Sequence, residues 1–164
     1  MADTKQNLMD AFAGESQANR KYLAYSYKAE KEGYTQVAKL FKAAAHAETI
    51  HAHAHLRLAG KIGETLANLE DAIAGETHEF THMYPEMIKD AEAEGNKAAA
   101  SYMKWVNAVE EVHANLYRKA LAAKGEMEPT DYYVCTVCGY THEGPHDASC
   151  PICHAASSAF EIVA

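Results

Sequence analysis

The chain has 164 residues, of which 15 are basic and 23 acidic, so its formal net charge is −8. This acidic balance argues against nucleic-acid binding, because a protein that follows a phosphate backbone needs a basic stripe on its surface. No apolar run approaches the ~18 to 20 residues of a membrane span, and the polar residues 1–15 do not suit a signal peptide, so we expect a cytoplasmic protein without a membrane partner.

Composition divides the chain into a helical part and a small tail. The last basic residue is Lys124, and all four cysteines lie among the last 30 residues. Clustered cysteines of this kind favour a local metal site over a disulfide framework. We therefore predict a helical domain over 1–124, a linker over 125–131 and a cysteine-rich domain over 132–164.

Four long helices are predicted in the helical part, each closed by a glycine that accepts the left-handed conformation after a helix end. They run near 4–32, 35–59, 66–94 and 96–124. Their predicted N-caps are Thr4, Thr35, Asn68 and Asn96. Pro85 falls inside the third helix, where it removes one backbone hydrogen bond and should kink or bulge the helix.

The second and fourth helices each carry an E-x-x-H motif, Glu48-Thr-Ile-His51 and Glu110-Glu-Val-His113. Spacing of three residues places both side chains on one helix face, about 4.5 Å apart along the axis. The motifs lie on the core stripes of their helices. Because a buried carboxylate without a partner is too costly to stay ionised, these groups must be paired, protonated or bound to a metal.

The first and third helices supply Glu15 and Glu76 on the equivalent faces. A glutamate from each of two helices, with E-x-x-H from each of the other two, is the pattern of di-iron and di-manganese sites in ferritin-like bundles. One motif alone would fit a solvated helix face, whereas two motifs with their partners favour a metal site. By periodicity alone, Glu79 is either a fifth carboxylate or a surface residue, and Tyr22 either contacts a ligand or belongs to the core.

The tail contains two C-x-x-C pairs separated by eleven residues, Cys135 with Cys138 and Cys150 with Cys153. Four thiolates so spaced form a closed tetrahedral site for zinc or iron. Cysteine spacing does not separate a structural zinc ribbon from a redox-active iron, so both interpretations stay open at this point.

Taken together, these motifs resemble the rubrerythrin family over nearly the whole chain and in the same order. The most specific segments are Phe12-Ala-Gly-Glu-Ser-Gln-Ala18, Gly75-Glu-Thr-His-Glu-Phe-Thr-His-Met-Tyr-Pro85 and Cys138-Gly-Tyr-Thr-His-Glu-Gly144. The resemblance implies an all-α, ferritin-like four-helix bundle with two iron ions, followed by a small β-rich, rubredoxin-like knuckle domain with one iron ion.

The resemblance also implies the role of each site residue. The implied di-iron ligands are Glu15, Glu48, Glu76, Glu79, Glu110 and His113, with His51 exchanging against Glu79 as the redox state changes. The implied ligands of the single iron are Cys135, Cys138, Cys150 and Cys153. Tyr22 and Tyr84 match tyrosines that surround the di-iron ligands in the family.

The implied activity is reduction of hydrogen peroxide in defence against oxidative stress. Electrons would come from NADH through a partner such as rubredoxin or an NAD(P)H-dependent reductase, and would pass through the rubredoxin-like iron. The alternatives are a ferritin-like protein that oxidises and stores iron(II), and a zinc-ribbon bundle with a structural role. Glu79 and the fused tail favour the peroxidase, since iron storage needs no electron relay.

The connection between the second and third helices is short for a ferritin-like bundle, in which these helices run parallel. The nine steps from Ala59 to Asn68 span at most ~31 Å, and the return path is roughly 30 Å long. The connection would close only if it were almost fully extended, which does not suit a segment that contains Gly60 and Gly63. We therefore expect a homodimer in which the first two helices of one chain pair with the last two of the other.

Overall fold

A computed structural model describes residues 3–163 of the chain. Its helices agree with the four predicted, except that the third is divided by a π-helical segment. They are α1 (Thr4–Lys31), α2 (Thr35–Leu58), α3 (Thr65–His78), the π segment (Glu79–Met83), α4 (Tyr84–Ala93) and α5 (Lys97–Ala122). None of the helices in this described part combines the length and apolarity needed to cross a membrane.

The helix starts differ in detail from the prediction. Asn96 caps α5 as expected, since its side chain accepts a hydrogen bond from the Ala99 N–H at 3.1 Å. The other three predicted caps are wrong. The α1 helix is capped by Asp3, while α2 and α3 begin after Tyr34 and Glu64, whose side chains make no capping hydrogen bond. The first two threonines lie one residue inside their helices, and Asn68 lies one turn inside.

The π segment explains how the third predicted helix tolerates its proline. Pro85 lies in the first turn of α4 and has no N–H to donate. Just before it, the Tyr84 N–H donates to the carbonyl of Glu79, five residues back rather than four. This wider turn accommodates one extra residue, which is the bulge expected from the sequence.

The tail forms a three-stranded antiparallel sheet in the order β2-β1-β3. The strands are β1 (Tyr132–Cys135), β2 (Thr141–Glu143) and β3 (Phe160–Val163), with a 3-10 turn at Ser157–Ala159. Each C-x-x-C pair forms a tight turn, closed by the Gly139 N–H on the Cys135 carbonyl and by the His154 N–H on the Cys150 carbonyl. Gly139 adopts a φ of +86° there, a conformation that favours glycine.

The chain forms two compact units, one up to Gly63 and one from Glu64 onward. In the first unit, α1 packs along α2, and the buried contacts include the small side chains of Ala38, Ala45 and Ala52. In the second unit, α3 and α4 pack on α5, and Val109 of α5 is buried with three of the four cysteines. Four long helices followed by a small sheet with a four-cysteine knuckle confirm the predicted fold class.

Candidate metal centres

The first unit brings together Glu15 of α1 with Glu48 and His51 of α2. One ligand atom from each of the three side chains lies within 4.8 Å of the others. His51 Nδ1 is 2.9 Å from Glu48 Oε2, as expected for neighbours on one helix face. Asn19 fixes α1 against α2 nearby, because its side-chain amide donates to the Ala45 carbonyl and to the Thr49 hydroxyl.

The second unit brings together Glu76 of α3 with Glu110 and His113 of α5, again within 4.8 Å. His113 Nδ1 lies 2.8 Å from Glu110 Oε2 and 3.9 Å from Glu76 Oε1. The histidine is more buried than its counterpart in the first unit: the His113 side chain is 26% exposed, against 54% for His51. Both E-x-x-H motifs therefore form the carboxylate and imidazole groups that the sequence predicted.

The second group has the electrostatics of a cation site. Burial and, after it, the nearby negative charge of Glu110 raise the pKa of Glu76 to about 7, against the opposing effect of His113. Two carboxylates held so close do not both ionise easily without a positive charge between them. Carboxylate and imidazole donors in this arrangement fit iron.

Glu79 and Tyr84 border the same group without belonging to it. Glu79 begins the π segment, and burial followed by the charge of Glu110 raises the pKa of its carboxyl group. The pKa of Tyr84 is raised in the same way, first by burial and then by Glu110 and Glu79. Both side chains therefore lie within electrostatic reach of Glu110.

Tyr22 has different surroundings in the first unit. Its ring packs near Tyr25 and Phe41, with centroids 6.4 and 6.2 Å apart, and it makes no hydrogen bond to Glu15 within the described residues. Tyr117 of α5 was not predicted as a site residue, although its pKa is raised by burial and by the charges of Glu76 and Glu110. Its position seven residues after Glu110, two turns along the same face, could have identified it.

The four cysteines form the third candidate centre, with all Sγ atoms within 4.8 Å of one another. Cys135 Sγ lies 3.7 Å from Cys153 Sγ, and Cys138 Sγ lies 3.6 Å from Cys150 Sγ. A tetrahedral ion with metal–sulfur bonds of about 2.3 Å needs sulfur atoms about 3.8 Å apart. None of the four forms a disulfide, so the knuckle has the geometry of a metal site.

The knuckle packs on the helix that carries the second carboxylate group. Gly139 lies against Val109, where an added Cβ would be 3.8 Å from the valine methyl. Thr141 Oγ1 lies 3.1 Å from His113 Nε2, and an ion pair joins Lys119 to Glu143 at 2.5 Å. No sequence pattern predicts the contact between Thr141 and His113, because it joins residues 28 apart in different types of structure.

Comparison with known proteins decides the family. A sequence model of the Rubrerythrin family matches residues 6–121, and one described as "Rubrerythrin, rubredoxin-like domain" matches residues 133–161. The chain belongs to the rubrerythrin family. It carries the Glu/His groups of a di-iron carboxylate site and a four-cysteine rubredoxin-like site.

Relatives and solved structures agree with this assignment. Rubrerythrin-1 of Clostridium acetobutylicum is 34% identical over 98% of this chain and 94% of its own length. Nigerythrin of Nitratidesulfovibrio vulgaris is 35% identical over 93% of this chain and 83% of its own length. A structure described as the partially reduced state of nigerythrin superposes with a TM-score of 0.60 at 32% identity, covering 99% of this chain and 88% of that one. The protein is thus a di-iron, rubrerythrin-type oxidoreductase.

Proposed function

We propose that this protein is a hydrogen peroxide reductase, a non-haem di-iron peroxidase that acts in defence against oxidative stress. The observation that supports this most is the four-cysteine knuckle packed on α5, the helix that carries Glu110 and His113. Reducing peroxide to two molecules of water consumes two electrons and two protons. A relay site beside the carboxylates suits that demand, whereas iron storage has no use for it.

The proposed division of the chain follows the chemistry. Residues 1–124 form the di-iron domain, 125–131 the linker and 132–164 the rubredoxin-like domain. The proposed di-iron ligands are Glu15, Glu48, His51, Glu76, Glu79, Glu110 and His113, with His51 and Glu79 alternating as the redox state changes. The single iron is assigned to Cys135, Cys138, Cys150 and Cys153.

The protein's own groups supply binding, orientation and protons, while bound iron supplies the electrons that break the O–O bond. Burial and the nearby carboxylates raise the pKa of the Tyr84 phenol, so its hydroxyl stays protonated and can donate a hydrogen bond to bound peroxide. Glu79 has a raised pKa for the same reasons, so its carboxyl group can hold a proton for a departing oxygen. Tyr22 is assigned the corresponding orienting role in the first unit.

The proposed electron supply runs from NADH, through rubredoxin or an NAD(P)H-dependent reductase, to the knuckle. The cysteines are unpaired by disulfides, which fits a reducing compartment, and we place the protein in the cytoplasm. The tail from Asp131 onward carries four acidic and no basic residues. A donor protein with a basic face would therefore be attracted to it, more strongly at low salt.

We further propose that the active form is a homodimer with exchanged helices. In a ferritin-like bundle made by one chain, Glu48 and Glu76 would lie at the same level on parallel helices. Because α2 continues ~15 Å beyond Glu48 and α3 begins ~16 Å before Glu76, the connection between them would have to cover both distances. The seven steps from Leu58 to Thr65 reach at most ~25 Å. The connection is thus too short for that path, even before any lateral shift is added.

Exchange explains why each unit holds one carboxylate and imidazole group. Each di-iron site would combine Glu15, Glu48 and His51 of one chain with the second-unit ligands of its mate. Those second-unit ligands are Glu76, Glu79, Glu110 and His113. A site so composed is incomplete in a single chain, which ties the proposed activity to the dimer.

Anaerobic mixing tests the proposed activity. The fully reduced, iron-loaded protein is mixed with hydrogen peroxide and, separately, with oxygen, and the ferric-thiolate and di-iron absorbances are followed. We expect peroxide to reoxidise both centres at least ten times faster than oxygen does. Reactivity with oxygen alone would instead support the ferritin-like iron(II) oxidase, and a tail without ferric-thiolate colour would support a structural zinc ribbon.

Two adjacent glutamates provide matched variants for this test. Glu110 belongs to the second carboxylate group, whereas Glu111 is exposed and lies about 100° around α5 from it. Glu110→Gln should lose most of the peroxide reaction, and Glu111→Gln should keep it. Equal rates in the two variants would contradict the assignment of Glu110 as a ligand.

A further inference from the structure

His113 is held at both ring nitrogens. Its Nδ1 faces the carboxylates, 2.8 Å from Glu110 Oε2, and its Nε2 lies 3.1 Å from the hydroxyl of Thr141. The same hydroxyl donates to the carbonyl of Gly139 at 3.1 Å. These contacts form a chain from the imidazole, through one threonine oxygen, to the backbone one residue after Cys138.

We propose that Thr141 is a positioning residue for His113. A neutral imidazole carries one proton, so only one of its two nitrogens can bind a metal while the other donates a hydrogen bond. Because the Thr141 proton is directed to Gly139, the threonine oxygen presents lone pairs to Nε2. It therefore favours the tautomer with the proton on Nε2, and this leaves the lone pair of Nδ1 directed at the carboxylate site.

Contacts within the second unit hold Thr141 in place. It begins β2 and pairs with Val134 of β1, while Lys119 of α5 holds the far end of that strand through Glu143. Thr141 and His113 also line a largely apolar pocket of about 380 Å³, whose other polar side chains are Tyr117 and Tyr132. Few side chains near His113 could therefore replace the threonine hydroxyl.

The histidine of the first unit lacks this second support. His51 Nδ1 also faces a carboxylate, at 2.9 Å from Glu48, but within residues 3–163 its Nε2 has no hydrogen-bond partner. Its side chain is 54% exposed. The two E-x-x-H motifs are thus alike in sequence but unequal in restraint, with His113 fixed from both sides and His51 from one.

This arrangement makes the knuckle part of the carboxylate site. An outer hydrogen bond to a metal-bound histidine typically contributes a factor of about 10 to 100 in metal affinity. Here that bond comes from a different structural element, since Thr141 lies in the sheet and His113 in α5. The inference rests on the di-iron site of the proposed function but not on its reaction with peroxide.

Two conservative substitutions separate the hydroxyl from its packing. Thr141→Val keeps the shape of the side chain and removes the hydrogen bond, whereas Thr141→Ser keeps the hydroxyl and removes the methyl group. The full chain, labelled with ¹⁵N at histidine, is loaded with zinc at every site, because zinc is diamagnetic and redox-inert. Nitrogen-detected NMR then shows which nitrogen of His113 carries the proton and how fast that proton exchanges with water.

We expect the wild type and Thr141→Ser to show His113 protonated at Nε2 with slow exchange. In Thr141→Val the exchange should be at least ten times faster, and zinc should bind the carboxylate site about 10 to 100 times more weakly. A valine variant that matches the wild type, or a serine variant that matches valine, would overturn the proposal. Far-ultraviolet circular dichroism and the amount of zinc bound by the four cysteines verify that all three proteins are folded.

These measurements use no peroxide, so they are independent of the proposed activity. If the zinc-loaded proteins behave as expected while the iron-loaded protein fails to reduce peroxide, only the proposed function is contradicted. If peroxide is reduced but the valine variant matches the wild type, only the role of Thr141 is contradicted.

Discussion

At the scale of single residues, the ionised carboxylates of the second group are destabilised by burial and by mutual repulsion in the absence of metal. Burial removes water from Glu76, and the charge of Glu110 adds to that effect, so the pKa of Glu76 rises to about 7. His113 offsets only part of this cost. A divalent ion placed between the carboxylates would displace the proton of Glu76 and reverse the sign of the local interaction.

The raised pKa of Glu76 predicts how the free energy of unfolding depends on pH. The prediction applies to protein that has zinc in the knuckle and no metal at the carboxylates. Since the folded pKa of Glu76 exceeds its ordinary value of 4.5, the folded state binds more protons than the unfolded state. The contribution of Glu76 to stability therefore falls as pH rises from about 4.5 through 7. Glu76→Gln removes this loss, and solvent screening reduces the expected gain at pH 8 to about 1 to 2 kcal/mol.

Urea unfolding of both proteins at pH 5 and pH 8, at one protein concentration, measures the difference. The two stabilities should be similar at pH 5 and diverge toward pH 8, with the glutamine variant the more stable. Taking the difference between the two proteins cancels the titration of groups that do not interact with Glu76. A glutamine variant that is less stable than the wild type at pH 8 would contradict the electrostatic account.

At the scale of elements, the π segment aligns side chains that a regular helix would separate. Glu76 and Tyr84 are eight residues apart, which in an α-helix corresponds to about 80° around the axis. One extra residue in the π turn reduces this separation to roughly 20°. Both side chains consequently feel the charge of Glu110 on α5, so the bulge before Pro85 shapes the site as well as tolerating the proline.

The knuckle is the element whose chemistry can be removed without altering its fold. Four thiolates bind zinc in the same tetrahedral geometry as iron, but zinc has no redox chemistry. With zinc in the knuckle and iron at the carboxylates, prereduced protein should still consume about one equivalent of peroxide. Steady-state turnover with an electron donor should fall at least tenfold, because the relay is blocked.

Stopped-flow absorbance measures the single turnover, and NADH consumption through a reductase and rubredoxin measures the steady state. Protein with iron restored to the knuckle serves as the control. Unchanged steady-state turnover in the zinc form would mean that electrons enter the carboxylate site directly.

Sequence patterns predicted the helices and most of the residues that the structure brings together at the site. They did not predict features that depend on contacts between residues far apart in the chain. The two E-x-x-H motifs are local, since residues three apart on a helix are neighbours in any fold. The C-x-x-C pairs are equally local. Thr141 could not be predicted, because its contact with His113 depends on how a strand packs against a helix. The Thr4 and Thr35 caps were wrong because capping is decided by the conformation of one residue at each helix start.

At the scale of the whole molecule, the charge of −8 is unevenly distributed. Nineteen of the 23 acidic side chains precede residue 131, and removing the five proposed carboxylate ligands leaves 14 against 15 basic ones. The rest of residues 1–130 is therefore nearly neutral. The tail keeps four acidic residues and no basic ones, so the external negative charge is concentrated on the proposed electron-accepting domain.

The proposed helix exchange has a consequence that depends only on how the ligands are divided between chains. Glu48 lies in the first unit and Glu110 in the second. Glu48→Gln or Glu110→Gln present in every chain damages both sites of the dimer. In a dimer of one Glu48→Gln chain with one Glu110→Gln chain, exchange gathers both substitutions in one site and leaves the other site entirely wild type.

Co-expression of the two variants with different affinity tags, followed by purification on both tags, isolates this mixed dimer. Each uniform variant dimer should have little peroxide reductase activity. The mixed dimer should recover about half of the wild-type activity per dimer, since one of its two sites is intact. Without exchange every site would carry one substitution, so a mixed dimer as inactive as the uniform variants would contradict the exchanged arrangement while leaving the ligand assignments in place.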